Sequence, residues 1–164
     1  MEALRLGVAT LALSGCAFFS PLPDARSPLD RAHDLDVQCR DLSEETAAPR
    51  LAKDAIDSVE PLTSHVQSGN NSETRLLGAK IHVKPLAGLT RELLTRELQC
   101  HEARVLLGKS PPLVDDPYSA APAWVDIGVD SESNGFAVRV ESFDFDTAKA
   151  ELARANRYFA SPAR

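Results

Sequence analysis

Residues 124–140 read WVDIGVDSESNGFAVRV, and this stretch constrains the fold more than any other. Val125, Ile127 and Val129 alternate with other residues, and Phe136, Val138 and Val140 repeat the pattern after Ser133-Asn134-Gly135. Two alternating runs joined at Asn-Gly predict a β-hairpin, because both turn residues tolerate positive φ. Only one face of such a hairpin is apolar. Helices can therefore cover only one side of the sheet it belongs to.

The neighbouring segments extend this reading. Ala79, Ile81 and Val83 alternate with Lys80, His82 and Lys84, which predicts another half-buried strand. A helix follows from about Thr90 to Leu107, closed by Gly108, and then a proline-rich connection from Pro111 to Ala123. Asp144 or Asp146 caps a last helix with Ala148, Leu152, Ala155 and Phe159 on its inner face. The order β-α-β-β-α predicts an α+β two-layer sandwich with a three-stranded sheet, its first crossover right-handed if those strands lie parallel.

Two helices are expected ahead of it. The first runs from about Leu29 to Leu42, with Ser27 as N-cap, Pro28 at the first position, and Ala32, Leu35, Cys39 and Leu42 on one side. The second covers Arg50 to Val59, ends at Glu60-Pro61, and leads towards a surface loop at Ser68 to Glu73. Residues 29–62 thus form a helical amino-terminal segment and 63–164 the α+β domain.

The start of the chain sets the compartment. Arg5 precedes an uncharged apolar run from Leu6 to Leu13. That run is far shorter than the roughly 20 residues of a membrane-spanning helix, and it reads as a secretory signal peptide. It ends in Leu13-Ser14-Gly15-Cys16, which resembles the lipobox of bacterial lipoproteins. The resemblance implies a diacylglycerol on the Cys16 thiol, cleavage after residue 15, and acylation, palmitate included, at the new amino terminus. Two or three acyl chains hold a protein firmly to a membrane where one does not. Ala17 stands where an Asp resembles an inner-membrane retention signal, so the resemblance implies the outer membrane. Residues 16–28, with three prolines, read as a tether.

Removing residues 1–15 deletes one Glu and one Arg, so the mature charge stays at the −6 of the whole chain. With no block of basic residues, nucleic acid is excluded as a partner. Cys39 and Cys100 are the thiols left once Cys16 is acylated. In an oxidising compartment the first reading is a structural disulfide, the second two separate buried thiols. A redox-active or metal-binding pair comes last, since C-x-x-C spacing is missing.

The candidate polar cluster is Glu97, His101 and Arg104, neighbours at steps of four and three on the Thr90–Leu107 helix. It is either a self-satisfied group that holds the helix in place, which is favoured, or a polar pocket with His101 as donor or metal ligand. Cys100 and His101 diverge by about 100° on a helix, so they do not form a nucleophile–base pair. His33, His65, His82 and His101 show no compact metal-ligand spacing, and no cofactor is indicated.

From Gly78 to Ala155 the chain resembles a group of uncharacterised bacterial envelope lipoproteins, through GAKIHV (78–83), PLAGLTRELL (85–94), CHEAR (100–104), GFAV (135–138) and TAK (147–149). Members of the group carry a further Cys near Pro117-Tyr118, where this chain has Ser119-Ala120. The expected function is a lipid-anchored, non-enzymatic envelope protein that binds a partner protein or envelope component. A Cu- or Zn-binding protein and a thiol–disulfide redox protein are the alternatives.

Overall fold

The computed structural model describes residues 26–42, 53–68 and 71–161. The expected signal peptide, Cys16 and most of the expected tether lie outside these residues. The described chain is a mixed α+β fold: α1 (Pro28–Gln38), β1 (Ile56–Ser68), β2 (Asn71–Val83), α2 (Arg91–Leu106), β3 (Asp126–Glu132), β4 (Gly135–Glu141) and α3 (Phe145–Ala160). A single 3₁₀ turn, Lys53–Ala55, precedes β1.

The sheet has four strands rather than three, in the order β1-β2-β4-β3, with every neighbouring pair antiparallel. The added strand corrects the expected second helix: Ile56 to Val59 belongs to β1. The spacing Ala55, Ile56, Val59 fits a helical stripe, and Pro61 reads as its terminator. Pro61 is instead tolerated because β1 is an edge strand, where one ladder of backbone groups needs no partner. The expected loop at 68–73 is mostly strand as well, since pairing runs up to Ser68↔Asn71. β2 meets β4 only from Gly78 to Val83, so its first half continues past the sheet as an arm paired with β1 alone.

β2 and β3 run in the same direction with β4 between them, so the α2 crossover steps over one strand. The Asn-Gly hairpin forms, with Ser133 and Asn134 turning and Gly135 opening β4 opposite Glu132. Positive φ falls on Gly135, at 131°, and a Cβ there would lie 2.0 Å from the Val83 carbonyl oxygen. A side chain at Gly78 would likewise meet the Val140 carbonyl oxygen at 2.1 Å. Both glycines are required by close backbone approach as much as by φ.

Ile81, Val83, Ile127, Val129, Val138 and Val140 point to one buried face, against Leu94 and Leu98 of α2 and Ala155 of α3. Full burial of such side chains contributes about 1.5–3 kcal/mol each, which drives the two-layer arrangement. Tyr118, 1% exposed, joins this core from the proline-rich connection, so that segment packs inward as well as linking. The opposite face carries Lys80 and His82, as their alternation predicts. Lys80 pairs with Glu60 at 2.9 Å, and His82 with Glu132 at 2.8 Å. Phe159, expected inward on α3, is 38% exposed, while Glu151 is buried on that helix.

Candidate functional site

The site begins at the carboxyl end of α1. Ser27 caps this helix, its hydroxyl accepting from the Asp30 amide, and Cys39 closes it. Cys39 and Cys100 of α2 lie at disulfide distance, with Cα atoms 5.7 Å apart and 61 residues of separation. Both are buried. Three cations of and after α2 reinforce the junction. Arg104 donates to the carbonyls of Cys39 and Leu42, each at 2.7 Å, Arg96 reaches Asp41 at 2.6 Å, and Lys109 reaches Asp36. Cations placed at a helix carboxyl end satisfy its last carbonyls and its dipole. Asp36 is held below the usual carboxylate range, first by its hydrogen bond with Lys109.

The three residues of the expected polar cluster have distinct surroundings. Arg104 serves α1 as described, and His101 Nε2 lies 2.7 Å from Asp116 Oδ2 in the connection after α2. Glu97 is buried, at 4% exposure. The remaining histidines are scattered: His33 is exposed on α1, His65 bonds Thr74 on the arm, and His82 lies on the open sheet face. Among the described residues no group of three or more His, Cys, Asp and Glu is placed to hold a metal ion.

Two buried carboxylates escaped the sequence reading. Glu102 accepts from the Val125 amide at 2.8 Å, while its Oε2 has no hydrogen-bond partner among the described residues. Burial holds its carboxyl far above the usual range, against the Val125 hydrogen bond, and neighbouring Glu151 adds to the rise. Glu151 receives Arg154 at 2.7 Å, yet burial still pushes it up to about 8. Asp116 is buried as well, accepting from the Tyr118 amide and meeting His101. The signal was present: Glu102 continues the four-residue stripe of Leu94 and Leu98, and Glu151 lies between Ala148 and Ala155.

An open cleft of ≈ 260 Å³ lies where α1, α2 and the start of β3 meet. Arg31 of α1 sits over the Trp124 ring, 5.3 Å from its centroid, and 3.7 Å from Asp126. The indole Nε1 donates to Asp126 at 3.0 Å, which fixes the ring. Arg26 and Asp34, paired at 2.7 Å, line the same cleft. So do Gln38 and Gln99, the residues immediately before the two cysteines. The sulfur bridge therefore positions an amide from each helix at one surface. Gln99 donates one N–H to the Ile127 carbonyl at 2.9 Å, which leaves its second N–H as donor and its oxygen as acceptor. The arrangement suits recognition of a polar ligand. In comparisons with known proteins, no family model matches the chain, and no curated protein or solved structure shows significant similarity to it.

Proposed function

We propose that the chain is a lipid-anchored cell-envelope protein, tethered through Cys16 to the outer membrane, whose folded part binds an envelope component and catalyses no reaction. The observation that carries the reading is the pairing of Cys39 with Cys100 downstream of Leu13-Ser14-Gly15-Cys16. A bridge of that kind belongs in an oxidising compartment, where a lipobox would deliver the chain. Both sulfurs are buried at 0% and 1% exposure, which favours a structural bridge over a site of thiol exchange. The cleft beside the bridge supplies a surface for binding.

The test is lipid labelling in cells. The protein is expected to incorporate radioactive palmitate, to sediment with membranes, and to accumulate as uncleaved precursor under globomycin. Cys16→Ser should lose the label and move to the soluble fraction. A wild-type chain that takes up no palmitate, or a Cys16→Ser chain that still sediments with membranes, overturns the anchor.

A further inference from the structure

We infer that the cleft between α1, α2 and β3 is a saccharide-binding site that seats one ring of an uncharged glycan chain. The inference rests on the binding-domain reading above and names the ligand class of that domain.

Charge narrows the choice first. The cleft carries two guanidiniums, Arg26 and Arg31, against two carboxylates, Asp34 and Asp126, each within 4 Å of one of them. The sum is zero. An anionic ligand drawn to either arginine would meet the carboxylate beside it, and like charges at that range repel. An uncharged ligand rich in hydrogen-bonding groups avoids this conflict.

Geometry points to the same class. Carboxylate, amide and guanidinium groups are planar forks that donate or accept two hydrogen bonds side by side. Adjacent hydroxyls on a sugar ring, each both donor and acceptor, match such forks. Gln38 and Gln99 contribute amide groups from the two helices that the sulfur bridge joins. Trp124 borders the cleft with Arg31 over its ring and Asp126 on its Nε1, so this part of the lining is fixed before any ligand arrives. Such preorganisation lowers the cost of binding. A volume of ≈ 260 Å³ falls below the ~300–1,000 Å³ of sites enclosing a drug-sized ligand, which fits one ring of a longer chain lying across the surface.

The experiment uses the fact that Trp124 is the chain's one tryptophan, so indole emission reports on this cleft alone. The full-length lipidated protein, in a zwitterionic detergent without sugar headgroups, is titrated with chitotetraose. Saturable change in emission is expected, with Kd in about the millimolar range. Gln38→Ala and Asp34→Asn should each weaken binding about fivefold, the effect of one lost hydrogen bond. Both positions are exposed, so the melting temperature should hold. Unchanged emission, equal affinity in both variants, or a response to inorganic phosphate instead of the sugar overturns the assignment. A photo-reactive residue replacing Gln38 then separates the two layers of the reading in native envelopes. A glycan adduct supports the saccharide. A protein adduct alone overturns the saccharide and leaves a binding domain, and no adduct of either kind overturns both.

Discussion

Glu102 and Glu151 are carboxyl groups with almost no solvent contact. Water would solvate their ionised forms far better than this interior does, so burial favours the protonated acid at Glu102 and Glu151. The consequence for stability has a definite sign. A carboxyl whose folded-state value rises from 4.5 to about 8 keeps its proton in the native chain while the unfolded chain ionises. Its contribution is full below about pH 4.5 and declines as pH rises towards 8. Glu151→Gln should therefore be more stable than wild type at pH 8, by on the order of a few kcal/mol, and nearly equal to it at pH 4.5. Urea unfolding at the two pH values measures this, and equal stability of variant and wild type at pH 8 contradicts it. Glu102 and Glu151 occupy apolar stripes of their helices. Nothing local in the sequence separates a buried glutamate on such a stripe from one displaced to a rim, since the difference lies in what a distant segment places beside it, as the Val125 amide is placed at Glu102.

At the level of elements, the readable segments were those whose periodicity and end signals agree. Ser27, Thr90 and Asp144 each accept an amide from the first turn of their helices, and α1, α2 and α3 begin as expected. β2, β3 and β4 show clean alternation where their inner faces meet the helices. β1 was hidden because it is an edge strand with a proline and two register shifts, so its pattern is broken where the pairing is irregular. The arm was hidden for a related reason: a two-stranded ribbon beyond the helices has no buried face to impose a period. The bridge between α1 and α2 was legible from cysteine count and the compartment that the lipobox resemblance implies, and its partners at Arg96, Arg104 and Lys109 were not, because they follow from the packing angle of the two helices. Cys100→Ser should cost about 4 kcal/mol, from the unfolded-chain entropy of a loop of this length. Cys39 should then react with an alkylating agent under mild denaturant. A melting temperature unchanged from wild type would show that α1 is held by its ionic contacts alone.

Across the whole molecule, one sheet face is apolar and covered, and the other carries Glu60, Lys80, His82, Glu132 and Arg139 to the outside. The cleft, the start of β3 and the end of β4 lie at one end of the sheet, since Asp126 pairs with Glu141. Arg26, the first described residue, lines that cleft. Under the proposed anchoring, a ligand there would sit close to where the chain departs for the membrane. The sulfur bridge gives the same region a mechanical role. Under that anchoring, tension on the lipid has a route from α1 across Cys39–Cys100 to α2 that does not run through the backbone of 43–52. A protease that severs the backbone anywhere in 43–52 should leave the sheet leashed to the bilayer, recovered with membranes as two fragments, until a reductant sets it loose.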